Sequence, residues 1–273
     1  MALHLLALLL VLPGCGDGDG DSRITGPDLP TGPGRVYPVA EVTFTSADGV
    51  PVSAIFGQLP DVTGPSPAVI LVHELGAALA GNEWLLAGLF EDLLESGYLP
   101  LAIDMRGHGN TPVPDDGRSV PQLILDDLDD LHLDVQAALN WLAAQTAVDA
   151  GRIGVVGNGG GGNVAFVSMG AFPEQLQAGV ALSPGLWEAN SEMPLVIGEG
   201  IDPFIPHSML YVVGSGDVLT STLSYVNFAT TLASLTQEPK SLVVLEAEAS
   251  HGLELLANPA IVTRILSWLE ANL

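Results

Sequence analysis

Short apolar runs alternate with longer amphipathic stretches along most of this chain, and the alternation predicts its architecture. Val39 to Thr45 and Val52 to Gln58 flank an Asp48-Gly49 turn and predict an opening antiparallel pair. Continuous apolar runs follow at Ala68 to Val72, Leu99 to Ile103, Ile153 to Val156, Gly179 to Leu182, Met209 to Val213 and Leu242 to Leu245. Between them, helical periodicity covers Glu83 to Ser96, Val120 to Ala144, Gly161 to Met169, Ser221 to Leu235 and Pro259 to Ala271. Strands apolar on both faces and separated by helices imply an α/β fold, a mostly parallel twisted sheet of about eight strands with helices on both faces. In such sheets ligands meet the residues just beyond the carboxyl ends of the strands, here His73, Asp104, Asn158, Ser183, Asp217 and His251.

The N-terminus follows a different pattern. Ala2 to Leu12 is almost wholly apolar yet too short to span a bilayer, as expected of a signal-peptide core. Leu12-Pro13-Gly14-Cys15 resembles a bacterial lipoprotein lipobox, in which the cysteine becomes the lipidated N-terminus. The resemblance implies removal of residues 1–14, a membrane anchor at Cys15 and a place in the cell envelope. An ordinary secretory signal is the other reading, because the first residues offer only His4 as a cation and Pro13 is unusual at its place. Cys15 is the only cysteine, which excludes an internal disulfide.

Gly, Asp and Pro dominate residues 15–35, a composition that suits a flexible tether ahead of a folded domain over residues 36–273. Asp17, Asp19, Asp21 and Asp28 fall where a calcium loop would carry ligands. Ser22 replaces the turn glycine of that template and no helical pattern flanks it, so no metal is expected.

Charge narrows the partners. Thirty-two acidic residues against seven Lys and Arg give a formal net charge of −25, which repels phosphate backbones, so no nucleic-acid partner is expected. Asp126, Asp127, Asp129, Asp130 and Asp134 crowd one predicted helix, and with Lys240 the only lysine they read as a solvated acidic face. A monomer is the default.

From Pro38 onward the stretches LVHELG, LAIDMRGHGN, GVVGNGGGGNVA, ALSPG, VVGSGDV and ASHGLELL resemble the α/β-hydrolase superfamily, particularly its dienelactone-hydrolase-like members. That fold carries its nucleophile on a strand-turn-helix elbow written G-x-S-x-G. Here the elbow reads Gly157-Asn158-Gly159-Gly160-Gly161, which puts Gly159 where the resemblance calls for Ser or Cys. The resemblance further implies Asp217 and His251 as catalytic acid and histidine, and the amides of Leu75 and Gly160 as an oxyanion hole. Glu74 matches a glutamate that lies beside the family's nucleophile, and His73, Asn158 and Ser183 would share the pocket with it. A loop-shaping role is the alternative for His73 and Glu74, and it is the one expected of Asp104, Arg106 and His108.

With no attacking atom at residue 159, serine-type ester hydrolysis should be absent or strongly impaired, leaving a pocket for a small ester-like ligand and no cofactor. A weak carboxylic-ester or dienelactone-type hydrolase is the alternative, using water activated by His251 or a nearby serine. Ser183, Ser215 and Ser250 lie near strand ends, whereas Ser168 is about 13 Å along the following helix. Gly157 to Gly162 also spells G-x-G-x-x-G, the dinucleotide fingerprint. That motif belongs to a first βα unit with an acidic residue closing the next strand, but here four strands come earlier and the next strand closes on Leu182-Ser183.

Overall fold

A computed structural model of the protein describes residues 37–60, 63–114, 130–185 and 205–273. The expectations for residues 1–14, for Cys15 and the tether, and for Asp126, Asp127 and Asp129 lie outside the described residues.

Eight strands form one sheet: β1 (Val39–Thr45), β2 (Pro51–Gly57), β3 (Ser66–Val72), β4 (Leu99–Ile103), β5 (Val148–Asn158), β6 (Ala178–Leu182), β7 (His207–Gly214) and β8 (Gln237–Leu245). Their order is β1-β2-β4-β3-β5-β6-β7-β8. β1 pairs antiparallel with β2, and β2 with β4, while the remaining pairs are parallel. Every residue of β4 and β6 is buried, as their unbroken apolar sequences require of strands covered on both faces.

Among the described residues the helices are α1 (Asn82–Leu86), α2 (Leu89–Glu95), α3 (Leu131–Ala143), α4 (Gly160–Ala171), α5 (Tyr225–Leu235) and α6 (Pro259–Asn272). α3, α4 and α5 pack one face of the sheet, where Val135, Leu139, Phe166 and Leu232 meet Ile70, Val72, Val155 and Tyr211. α1, α2 and α6 pack the other, where Trp84, Phe90, Leu93 and Ile265 meet Val69, Leu71, Val156 and Leu210. Successive strand residues alternate between these two cores, which is why the runs are apolar without interruption.

Three elements differ from the sequence expectation. The single helix predicted over Glu83 to Ser96 is two, broken where Gly88 adopts φ 85°. α5 begins at Tyr225 rather than Ser221 because the Ser224 side chain accepts from the Val226 amide and caps it, while Leu219 and Leu223 close a turn ahead of it. Asp134, expected on a solvated face, is fully buried. Its carboxylate accepts from Arg106 Nη2 at 2.8 Å, from Nε at 3.1 Å and from the Arg106 amide at 2.8 Å. Arg106 also reaches Asp48 at 2.6 Å, which ties the β1–β2 turn to the loop after β4. Burial alone would lower the Arg106 pKa, but the two carboxylates more than offset it and hold the guanidinium charged.

β3 lies between β4 and β5, so the chain winds outward in both directions from it. This reversal opens a crevice beyond the carboxyl ends of β3 and β5, the place where open α/β sheets hold their ligands.

Candidate active site

The floor of the crevice is the turn from β5 into α4. Gly159 adopts φ 51°, ψ −115°, a conformation that strains any L side chain, and its amide bonds to Leu182 O at 2.9 Å. The flanking glycines are demanded by space. A Cβ at Gly157 would strike the Gly161 carbonyl, and one at Gly161 would strike the carbonyls of Val72 and His73.

The loop after β3 forms one wall and is held from beneath by histidines. His73 is fully buried; its Nε2 accepts from the Met105 amide at 3.0 Å, which leaves Nδ1 to donate to Glu74 O at 2.7 Å. Burial, with a smaller push from His108, lowers the His73 pKa to about 3, so the ring is neutral at any physiological pH. His108 Nε2 accepts from the Gly76 amide at 2.8 Å, and Asp104 accepts from the amides of Gly81 and Asn110 at 2.9 and 2.8 Å. These contacts shape the loop, as expected for Asp104, Arg106 and His108; His73 does the same.

Glu74 projects from this wall into the centre of the crevice. Its Oε1 accepts from two backbone amides, Leu75 N at 2.9 Å and Gly160 N at 2.9 Å. Its Oε2 fills the space where a side chain on residue 159 would begin: a Cβ there would collide with it. That oxygen is enclosed and has no hydrogen-bond partner, and the nearest cation-capable group is His251 Nε2 at 3.5 Å, longer than a hydrogen bond.

The opposite wall comes from the ends of β7 and β8. His251 Nδ1 meets both carboxylate oxygens of Asp217, at 3.1 and 3.0 Å. Asp217 is buried and receives a 2.6 Å hydrogen bond from Ser183 Oγ, which in turn accepts from the Gly252 amide at 3.0 Å. Ser183 is held at φ 44° to do so, and it is fully buried behind the acid. Asn158 is likewise buried, its Oδ1 unpartnered against Gly252. The adjacent Glu74 carboxylate, prevailing over burial and joined by Asp217, raises the His251 pKa above that of an ordinary histidine. The Tyr225 ring packs on the imidazole with centroids 4.4 Å apart.

The structure thus brings Glu74, Leu75, Gly159, Gly160, Asp217 and His251 together. The serines weighed above are engaged elsewhere: Ser183 donates to Asp217, Ser215 accepts from the Ala247 amide, the Ser250 side chain bonds to Glu248, and Ser168 is fully buried in α4. Sequence reasoning left two things unseen. Ser183 acts on the acid, for which its place at the end of β6 was the only signal, and a short 3₁₀ turn at Gly252–Ala257 carries the chain away from His251. Among the described residues no group of three or more His, Cys, Asp or Glu could hold a metal ion.

An eight-stranded sheet of this order with a tight β5–α4 turn, an acid after β7 and a histidine after β8 is an α/β-hydrolase. The family described as serine aminopeptidase, S33, matches residues 64–240, and the chain belongs to it. A probable 2-oxo-3-(5-oxofuran-2-ylidene)propanoate lactonase from Bradyrhizobium is 32% identical over 111 residues, which span 40% of this chain and 43% of that protein. Among solved structures, an esterase from Pyrococcus furiosus superposes with a TM-score of 0.65 at 19% identity, covering 86% of this chain and 93% of the esterase. A dienelactone hydrolase from Anabaena variabilis gives 0.61 at 19% identity, covering 87% and 99%.

Proposed function

We propose that this hydrolase-fold protein has lost the acyl-enzyme step of its relatives, retaining a site for a small ester-like ligand. The observation that carries this reading is the centre of the crevice: Gly159 stands at the elbow without an attacking atom, and Glu74 Oε2 takes up the space beside it. The amides of Leu75 and Gly160 are then the oxyanion hole, and Glu74 Oε1 already holds both. A carbonyl oxygen can enter only after displacing that carboxylate.

The intact Asp217–His251 pair supports a second, weaker activity, in which the imidazole activates water against an ester once Glu74 swings aside. Removing one member of a catalytic triad leaves about 10³–10⁴ over the uncatalysed rate, and any turnover by this route is of that order. The dinucleotide reading fares worse, because Glu74 puts a carboxylate on the α4 N-terminus where a pyrophosphate would bind.

The test is hydrolysis of short-chain nitrophenyl esters by the native protein and by His251→Ala. Turnover at the buffer rate in both supports a non-catalytic site. Slow turnover lost in His251→Ala supports activated water, and rates typical of serine esterases overturn the proposal. We also propose a lipid anchor at Cys15, supported by the apolar run before it and the tether after it. Cys15→Ser should then move the protein from the membrane fraction to the soluble one, and an unchanged distribution would contradict the anchor.

A further inference from the structure

One edge of the sheet is left open. Among the described residues no strand lies beyond β8, and no residue of β8 is fully buried, whereas every residue of β4 and β6 is. The other edge strand, β1, breaks its apolar residues with exposed Glu41, Thr43 and Thr45. β8 ends instead in Leu242-Val243-Val244-Leu245, four consecutive apolar residues that all stay part-exposed. An apolar edge strand with unpaired amides and carbonyls is a template for a further strand. We propose that β8 pairs antiparallel with β8 of a second copy of this chain about a two-fold axis, joining two eight-stranded sheets into one in place of the monomer that is the default expectation.

Backbone direction limits how two such strands can meet. The Leu245 carbonyl accepts from Ser215 N at 2.9 Å, so residue 245 turns its peptide groups toward β7, and by strand alternation Val243 and Ser241 do the same. Leu242 and Val244 therefore turn their N–H and C=O groups to the open edge. The Lys240 amide, on the same side, is already taken by Glu238 Oε2 at 3.1 Å. Antiparallel copies satisfy these groups only where an outward residue faces an outward residue. An axis at Val243 sets Leu242 against the partner's Val244 and Val244 against the partner's Leu242, and each pair exchanges two hydrogen bonds.

Charge selects that register. The same axis sets Lys240 against the partner's Glu246, and symmetry makes the pair twice. Opposed residues in such a ladder have Cβ atoms about 4.5–5.5 Å apart, within reach of an ammonium and a carboxylate. Lys240 Nζ donates to Thr236 O at 2.7 Å, and a lysine ammonium has two further N–H groups to give. Of the four cations among the described residues, Arg106 is buried and Arg152 pairs with Asp149. The other two stand at the start of β8: Lys240, and Arg264 through a 3.1 Å bond to Ser241 Oγ. An axis at Leu242 would oppose Glu238 to the partner's Glu246, and one at Val244 would oppose Leu242 to it. In a chain of net charge −25, this local match is what lets two copies approach.

The two faces of the joined sheet also agree. Leu242 and Val244 pack on the side of α3, α4 and α5, and Val243 and Leu245 on the side of α6. An axis normal to the sheet keeps each side with its counterpart, so the exposed parts of all four close against the same four residues of the partner. Beside them Pro239, Arg264, Trp268 and Ala271 line a groove of about 350 Å³ along α6, which leaves room for the partner's chain as it leaves β8. The crevice beyond β3 and β5 lies away from this edge, so the inference is independent of what that site does.

The experiment uses the whole chain with Cys15→Ser, so that an introduced cysteine is the only one, in non-ionic detergent. Sedimentation should show a dimer that dissociates on dilution. Val243→Cys falls on the axis, at a pair whose Cα atoms are about 4.5 Å apart and so within disulfide range, and should link the two copies on mild oxidation. Leu242→Cys and Val244→Cys, each two residues out of step with its own copy, should not link, and neither should Thr43→Cys on β1. Lys240→Glu and Glu246→Lys each set like charges opposite one another twice per dimer and should raise the dimer Kd about 10- to 100-fold, while the double exchange should restore it. A monomer at every concentration, linking through Leu242→Cys or Thr43→Cys rather than Val243→Cys, or folded charge variants that dimerise as well as the parent overturns the inference. So does a double exchange that stays as weak as the single ones.

Discussion

Gly159→Ser sets the account's steric claim against its energetic one. The residue sits at φ 51°, ψ −115°, where a side chain costs about 1–3 kcal/mol. The new Cβ also collides with Glu74 Oε2, so the carboxylate must leave the amides of Leu75 and Gly160. Glu74 is a flexible side chain and 30% exposed, so water partly replaces those bonds, and the loss is about 1–2 kcal/mol rather than the full cost of two buried orphan donors. The sum is about 2–5 kcal/mol, or a fall in Tm of roughly 5–15 °C for a domain of this size. In a Glu74→Ala background only the backbone strain remains, so Gly159→Ser should cost about 1–3 kcal/mol there. Thermal melts of the two single variants and the double variant give the coupling directly. A coupling of about 1–2 kcal/mol is expected, and penalties that add to within about 0.5 kcal/mol would refute the claim that the residue 159 side chain and the Glu74 carboxylate compete for one space.

Three further outcomes follow from the same geometry. Glu74→Gln should lower the His251 pKa toward that of a free histidine, seen by NMR titration of the ring. The native shift is upward, so the stabilisation it brings is complete below the unfolded-state pKa and is lost as pH rises through the folded one; an unmoved titration in Glu74→Gln contradicts the assigned cause. Ser183→Ala removes a hydrogen bond to Asp217 and leaves the Gly252 amide unpaired, at about 1–3 kcal/mol by chemical denaturation. Ser183→Gly should cost less, because it relieves φ 44°, and equal losses in the two would argue against strain at that site. Arg106→Leu strands the buried Asp134 carboxylate and should cost about 3–5 kcal/mol, while a loss under about 1 kcal/mol would show that the pair does not anchor the loop after β4.

Much of this was legible in the sequence because strands covered on both faces must be apolar throughout. β4 is read to the residue, and the ends of β3, β6 and β7 to within two, since burial there leaves no polar alternative. β5 and β8 extend well before their apolar cores: Asp149 and Arg152 lie in an irregular, partly exposed stretch of β5, and Lys240 pairs with Met209 at the margin of the sheet, where hydropathy carries no signal. Gly88 splits a helix that periodicity alone keeps whole, because the break lies in a positive φ and not in the apolar spacing. The residues that the structure brings together in the crevice could be named from motif and strand order. Their relations could not. Asp134 reads as solvated until its long-range partner Arg106 is seen, and nothing along the chain says that Glu74 reaches the amide of Gly160, 86 residues away.

The central claim, that the elbow is intact but lacks its attacking atom, is tested most directly by labelling with a serine-directed fluorophosphonate. Native protein, Gly159→Ser and Gly159→Ser with Glu74→Ala are treated alike, and labelled peptides are mapped. The account predicts no label on native protein and stoichiometric label on the introduced serine of the double variant, where Asp217 and His251 regain a hydroxyl and the hole is free. Stoichiometric labelling of any serine in the native protein, or a folded double variant that stays unlabelled, would contradict it.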